Sequence, residues 1–177
     1  MGTPAQVEFS RLISTAEIVE KATVFTIEAD KAERAGLAER FDLRALHRLW
    51  TELLITPEAG GLLRLDGHLT ADVVQTCVVS LADVATPVDV RFSLRFSPEV
   101  TPELSEILIA PGEDDPPELL VGESLDLGRI VAEQLAMALD PYPRLSGAKM
   151  AEFKEKSAEK EAPASPFAAL SVLKNRQ

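Results

Sequence analysis

Hydrophobic and polar residues alternate most regularly between positions 88 and 96. Apolar side chains occupy every second position there, and polar or charged side chains fill the positions between them. A period of two predicts a β-strand with one buried face and one solvated face. Pro87 and Pro98 bracket the segment and are expected to lie outside the strand. The residues predicted to point inward are Val88, Val90, Phe92, Leu94 and Phe96.

A second alternating segment, 62–76, follows a turn sequence Ala-Gly-Gly at 59–61. Together with 49–56 on the other side of the turn, it predicts an antiparallel hairpin. The residues that lead into it are ambiguous, because positions 43–55 fit a helical period as well as a strand period. We interpret Trp50 as a core or helix-packing residue rather than as a platform on which a nucleic-acid base stacks.

Two helices are predicted, each beginning at a capping aspartate. Asp30 followed by Glu33 has the form of a capping box, and an alanine-rich run sustains the helix that follows. Asp126 is the predicted N-cap of an amphipathic helix, which the sequence Asp-Pro-Tyr-Pro at 140–143 ends. Its apolar stripe consists of Leu127, Ile130, Val131, Leu135, Ala138 and Leu139.

These elements predict an α+β fold. Short extended segments at 7–13 and 23–29 add to the strands already described, with Phe25 and Ile27 as inward residues of the second. We expect an antiparallel sheet, built as a meander of hairpins, to pack against the short helix and the C-terminal amphipathic helix. The pattern leaves open whether the sheet closes into a barrel.

Residues 1–145 are predicted to form a single domain that contains an acidic, proline-rich insertion at 97–124. The insertion holds five prolines and eight acidic residues and lacks lysine and arginine. Within it, 104–109 has the composition of an edge strand, whereas 113–117 is expected to be a solvated loop.

Residues 146–177 are predicted to be a flexible polar tether that ends in an apolar docking segment. Lysine and glutamate alternate along 149–161, and hydrophobic residues return from position 166. Phe167, Leu170 and Leu173 have the spacing that places three anchors near one face of a helix, which suits docking into a groove of a partner. A groove on this protein's own sheet is one alternative, and an apolar end without a function is the other.

The charge of the chain constrains its partners. A net charge of −11 and a pI of about 4.7 disfavour tight binding to a phosphate backbone, which normally needs clustered lysine and arginine. A basic protein partner fits this charge better. The sequence contains no apolar run of about eighteen residues and no apolar N-terminal signal region, so we expect a soluble cytoplasmic protein without membrane contact.

Catalytic, metal and cofactor motifs are not evident. Cys77 is the only cysteine, and the two histidines lack the close spacing of zinc ligands. His68 precedes Cys77 by nine positions, so on one continuous strand the two side chains would face opposite ways. We therefore interpret Cys77 as a small buried hydrophobic residue at a strand end, and we expect no cofactor and no small-molecule substrate.

Arginines define one further candidate surface. Arg91 and Arg95 lie on the predicted solvated face of the strand at 88–96, and Arg64 joins them if the strand at 62–76 is its neighbour. This face could contact RNA or a protein partner. The alternative is an ordinary polar sheet face, neutralised by aspartates on the same strands.

Two stretches resemble the YceD family (domain of unknown function 177), whose members are described as large ribosomal RNA subunit accumulation proteins. The first matches at Cys77 and Leu81, although Ser80 stands where the family has a second cysteine and Asp83 where proline is common. The second matches at the start of the predicted C-terminal helix. The resemblance spans about 12–143 and, given the missing cysteines and the apolar C-terminus, is closest to the alphaproteobacterial branch. The helix positions that match are Asp126, Leu127, Glu133 and Leu135.

The resemblance implies a role in synthesis, processing or stability of large-subunit (23S) ribosomal RNA. We expect a non-enzymatic ribosome-biogenesis factor that binds a basic large-subunit ribosomal protein or an assembly intermediate, with any contact to ribosomal RNA indirect. A direct RNA-binding module that uses the exposed sheet face is the alternative. A hydrolase is a third and weaker reading.

Overall fold

The structure is a computed structural model that describes residues 8–18, 21–98, 116–120 and 122–149. Its strands are β1 (Leu12–Ser14), β2 (Thr23–Glu28), β3 (Ala45–Pro57), β4 (Leu63–Thr76), β5 (Asp83–Ser97), β6 (Glu118–Leu119) and β7 (Ser124–Asp126). Its helices are α1 (Lys31–Arg40) and α2 (Leu127–Ala138), and short 3₁₀ turns cover Thr15–Glu17 and Ala59–Gly61.

The predicted α+β class is confirmed. Five strands form one sheet in the order β2-β3-β4-β5-β6, and β1 pairs with β7 in a separate two-stranded ladder. Neighbouring strands of the large sheet are antiparallel except β5 and β6, which are parallel. The described strands do not close into a barrel, because β2 and β6 remain as the two edges.

The long hairpin β3–β4 is the centre of the sheet. Its register runs from Pro57 opposite Leu63 to Ala45 opposite Val74, with a bulge between Leu46 and Arg48. The strand therefore begins four positions before the predicted start at 49. The bulge adds one residue to β3, so that Leu46 and Leu49, three positions apart, are both buried. This three-residue spacing of buried leucines explains why the sequence also fitted a helical period.

The strand at 88–96 is longer than its alternation indicated. β5 begins at Asp83, and Pro87 lies inside it, opposite Asp72. The expectation that Pro87 lies outside the strand is thus wrong. Proline is tolerated there because β6 pairs only with Phe96 and Ser97, so at position 87 the far side of β5 has no ladder hydrogen bond within the described chain.

The core lies between the inner face of the sheet and the two helices. Leu37 of α1 and the predicted stripe of α2 pack against it, and each large side chain buried in this way contributes about 1.5–3 kcal/mol. The capping box of Asp30 and Glu33 is present, as predicted. Fully buried core residues include Leu49, Leu53, Ile55, Leu65, Leu69, Val73, Leu127, Val131 and Leu135.

One glycine is required by packing in the sheet. A Cβ atom added to Gly67 would lie 2.2 Å from Cζ of Phe92, which is directly opposite on β5. The ring of Phe92 therefore occupies the space that a side chain at position 67 would need. This close approach explains why glycine interrupts the apolar alternation of β4.

The acidic insertion and the C-terminal segment fall largely outside the described residues. The edge strand predicted at 104–109 and most of 146–177 belong to the undescribed part. Within the described part, Glu118 and Leu119 form β6 at the edge of the sheet. None of the helices described is long and apolar enough to cross a membrane.

Candidate interaction surfaces

Arg64 and Arg95 are direct cross-strand neighbours on the solvated face of the sheet. Glu58, in the turn between β3 and β4, lies between them: its carboxylate is 3.5 Å from Nη1 of Arg64 and 3.9 Å from Nε of Arg95. Arg64 also donates to Asp66 at 3.0 Å. The structure therefore brings these two predicted residues together, within a cluster that contains both signs of charge.

Arg91 lies on the same face, opposite His68. The ring of His68 contacts the carboxylate of Asp89 at 2.8 Å through Nε2. Acidic and basic side chains are thus mixed on this face of β4 and β5. A surface of this kind is less attractive to a phosphate backbone than a continuous basic stripe would be.

Trp50 also belongs to this solvated face, so its assignment to the core or to helix packing is wrong. It pairs with Glu28 on β2 and with Thr70 on β4, and it is only partly buried. Its ring meets the ring of His68 edge-on, with centroids 6.4 Å apart. The signal was present in the sequence: once 49–56 is a strand with Leu49 inward, position 50 must point outward.

The loop 77–82 joins β4 to β5 and contains Cys77 and Leu81. Cys77 is fully buried directly after the end of β4, as the sequence predicted. Its backbone N–H donates to Ala82 at 2.8 Å, and its carbonyl accepts from the N–H of Leu81 at 3.0 Å. Leu81 adopts a left-handed backbone (φ +60°) and is 71% exposed.

The sulfur of Cys77 is a hydrogen-bond acceptor in this loop. It accepts from the backbone N–H of Ser80 at 3.4 Å and of Leu145 at 3.5 Å. Hydrogen bonding from the side chain of Ser80, followed by these two amides, lowers the pKa of the thiol to about 6 against the opposing effect of burial. In the described part of the chain, His, Cys, Asp and Glu do not assemble into groups of three or more that could hold a metal ion.

Asp126 caps α2 and also holds the N-terminal segment. Its carboxylate accepts from the N–H groups of Gly128 at 3.1 Å and Arg129 at 3.3 Å, which confirms the predicted N-cap. It accepts from Arg11 N–H at 2.7 Å and from the hydroxyl of Ser10 at 2.6 Å as well. Position 126 is therefore a structural junction between two distant parts of the chain.

Of the other three matching positions, Leu135 is buried in the core, and Leu127 and Glu133 differ from each other. Leu127 is buried in the core. Glu133 is exposed and pairs with Arg129 one turn earlier, at 2.8 Å. Gly128, directly after Leu127, packs so closely that an added Cβ would lie 2.8 Å from Cα of Ser10. These contacts give residues 126–133 a role in folding.

The two stretches on which the family resemblance depends meet in space. Val78 donates to the carbonyl of Pro143 at 2.9 Å, and Gln75 donates through Nε2 to the carbonyl of Asp140 at 2.9 Å. The loop after β4 is thereby joined to the segment after α2. Sequence reasoning missed Gln75 and Val78, because only the folded chain shows which main-chain groups they bind.

The predicted docking residues Phe167, Leu170 and Leu173 lie outside the described residues. Their role stays a prediction. The candidate surfaces within the described residues are the solvated sheet face and the junction between the Cys77 loop and the end of α2.

Comparison with known protein families identifies a relationship. A family model described as "Large ribosomal RNA subunit accumulation protein YceD" matches residues 65–174. The match begins in β4 and continues past residue 143, to include the positions of the predicted docking segment. No curated protein and no solved structure matches the chain. Because the family model covers more than half of its 177 residues, the chain belongs to the YceD family.

Proposed function

We propose that this protein is a non-enzymatic ribosome-biogenesis factor that supports the accumulation of large-subunit ribosomal RNA. The observation that carries the proposal is the family match over residues 65–174. It acts in the cytoplasm by binding a basic ribosomal protein or an assembly intermediate, and it contacts ribosomal RNA only indirectly.

Charge supports a protein partner. The chain has a net charge of −11, and carboxylates accompany the arginines of the solvated sheet face, such as Glu58 beside Arg64 and Arg95. Opposite net charges accelerate association and disfavour wrong partners. Ribosomal proteins are basic, so they complement the net negative charge of the chain, whereas free RNA is repelled by it.

Direct RNA binding is the second candidate, and one observation favours it. Trp50 and His68 lie on the same sheet face as Arg91, where aromatic rings can stack on bases and a guanidinium can contact phosphate. The neighbouring carboxylates of Asp66 and Asp89 oppose this reading.

Two measurements test the proposal. In a strain that lacks the gene, the ratio of large-subunit to small-subunit ribosomal RNA should fall, and the full chain supplied in trans should restore it. Purified full chain should also retain a purified large-subunit protein in a binding assay and leave small-subunit proteins unbound. An unchanged RNA ratio, or equal retention of proteins from both subunits, would contradict the proposal.

A further inference from the structure

A groove of about 370 Å³ lies where the turn after α1, the loop after β4 and the segment after α2 meet. We call it the α2-end groove. It coincides with the junction at which Val78 binds the carbonyl of Pro143. The apolar side chains that line it are Phe41, Val78, Ala136, Leu139, Pro141 and Pro143.

Exposed apolar side chains are concentrated in the segments that border this groove. The described part of the chain exposes nine large hydrophobic residues, and five of them come from 78–81 and 137–145. Concentration of apolar surface in one region marks an interaction site more often than scattered single residues do. The five are Val78, which lines the groove, and Leu81, Met137, Tyr142 and Leu145, which belong to the bordering segments but not to the lining, with exposures between 39% and 71%.

The charge of the groove is negative. Asp42 and Asp140 are the ionisable residues among those that line it. Neither carboxylate forms an ion pair with another described residue; that of Asp140 accepts from the N–H of Tyr142 at 2.8 Å. Arg44 reaches the edge of the groove: its Nε donates to Oγ1 of Thr76, a lining residue, at 3.1 Å, and lies 3.6 Å from Asp83. An occupant that carries positive charge would still find two carboxylates that form no ion pair with a described residue.

One side chain of the groove lining has an unsatisfied acceptor. Oε1 of Gln75 is buried without a hydrogen-bond partner in the described chain, whereas its Nε2 donates to the carbonyl of Asp140 at 2.9 Å. The left-handed backbone of Asp42 (φ +53°) has a structural cause, because the chain leaves α1 there and the N–H of Leu43 donates to the carbonyl of Ala38 at 2.9 Å.

We propose that the α2-end groove binds a basic peptide segment of a protein partner. An apolar side chain of the segment packs against Val78 and Leu139, and a flanking lysine or arginine pairs with Asp42 or Asp140. The identification of the partner as a ribosomal protein rests on the proposed function; the chemistry of the bound segment does not.

The test is fluorescence anisotropy with the full chain and a labelled lysine-rich peptide that carries leucines. The variant combines Asp42→Asn with Asp140→Asn, which keeps side-chain shape and suits the left-handed backbone of position 42. The control combines Asp66→Asn with Asp89→Asn, which makes the same change in net charge on the sheet face. We expect the groove variant to bind about fivefold more weakly, the control to change by less than about twofold, and a peptide with serine in place of leucine to lose about tenfold.

Several outcomes would overturn the groove proposal. If both double variants bind the peptide equally weakly, its affinity depends on the net charge of the protein and not on the groove. If the affinity of the peptide does not fall when leucine is replaced by serine, the groove does not bind an apolar side chain. If a peptide of residues 164–177 competes for the groove, and deletion of those residues tightens binding of the labelled peptide, the occupant is this chain's own C-terminal segment and not a partner.

Binding of a purified large-subunit protein shows whether the groove proposal or the proposed function is at fault. If that protein binds the wild-type chain and the groove variant equally well, the groove proposal fails and the function stands. If no large-subunit protein binds the wild-type chain while the lysine-rich peptide still depends on Asp42 and Asp140, the proposed function fails and the groove stands.

Discussion

The carboxylate of Asp126 accepts a 2.6 Å hydrogen bond from the hydroxyl of Ser10, 116 positions earlier in the chain. The same carboxylate caps the first turn of α2. One side chain therefore fixes both the start of a core helix and the course of the N-terminal segment that crosses it. Arg11, next to Ser10, strengthens this arrangement through a two-pronged ion pair with Glu33 of α1, at 2.6 and 2.9 Å.

Replacing Asp126 with alanine should destabilise the protein strongly. Loss of the cap and of the bonds to Ser10 and Arg11 should lower the free energy of unfolding by about 2–4 kcal/mol. Urea denaturation measures this directly. Glu133→Ala is the matched control, because it removes an exposed carboxylate of the same helix and should cost less than about 0.5 kcal/mol. Equal losses in the two variants would contradict the role assigned to Asp126.

The contribution of Asp126 should depend on pH. Partial burial raises the pKa of its carboxyl, but hydrogen bonds from Ser10 and from backbone amides outweigh that effect and hold the pKa below its usual value. Stability from a carboxylate with a depressed pKa is complete above the unfolded value of about 4 and is lost as the pH falls through the folded value. The stability difference between wild type and Asp126→Asn should therefore shrink on acidification below about pH 4. A difference independent of pH would contradict this.

Gly67 and Phe92 should be energetically coupled. Gly67→Ala places a Cβ atom where the ring of Phe92 lies, and the overpacking should cost about 1–3 kcal/mol. In the background of Phe92→Leu, which frees that space, the same change should cost at least about 1 kcal/mol less. A double-mutant cycle from urea denaturation gives the coupling energy. Additive losses would show that the ring does not block position 67.

Cys77→Ser should leave partner binding intact, because we assign the thiol a structural role. Burial of a hydroxyl in place of the thiol should lower the free energy of unfolding by about 1–3 kcal/mol. The purified protein should carry no stoichiometric zinc, since one thiolate cannot complete a tetrahedral site. Elemental analysis and binding assays on the variant check both statements. About one zinc per chain would refute them.

The stability that Cys77 contributes should rise with pH. Its pKa of about 6 in the folded chain lies below the unfolded value of about 8.5. The contribution is then complete above about pH 8.5 and is lost as the pH falls through about 6. The stability gap between wild type and Cys77→Ser should widen from acidic to mildly alkaline pH, as measured by urea denaturation in matched buffers. A constant gap would mean that the thiol stays protonated.

Much of this fold could be predicted from local patterns, and the errors have physical causes. Alternation located β4 and β5, and capping chemistry located both helices, because these signals depend only on neighbouring residues. The bulge before Arg48 depends on pairing between β3 and β4, whereas the outward position of Trp50 follows from alternation once the strand is assigned. The partner of Val78, the carbonyl of Pro143, is set by the folded chain, so the α2-end groove has no sequence signature.

Charge-reversal variants of the sheet face distinguish RNA binding from protein binding. If RNA contact dominates, affinity for ribosomal RNA fragments should fall steeply between low and physiological salt, and Arg91→Glu combined with Arg95→Glu should abolish it. We expect weak binding of free RNA instead, and survival of a complex with a large-subunit protein. Arg40→Glu with Arg129→Glu, away from this face, is the control of equal charge. Tight RNA binding that only the sheet-face variant removes would favour direct RNA recognition.

The C-terminal segment should contribute to binding more than to stability. Phe167, Leu170 and Leu173 are too apolar for a purely solvated end, yet 166–173 is shorter than the about 12–15 residues that an isolated helix needs. The family match reaches residue 174 and so includes these positions. Removing residues 164–177 should leave the thermal midpoint nearly unchanged and weaken recovery of the partner in pull-downs. A midpoint lowered by several degrees would assign the segment to the domain core, because loss of about 1 kcal/mol shifts the midpoint by a few degrees in a domain of this size. If neither quantity changes, the segment is not a docking site, and binding must depend on residues 1–163.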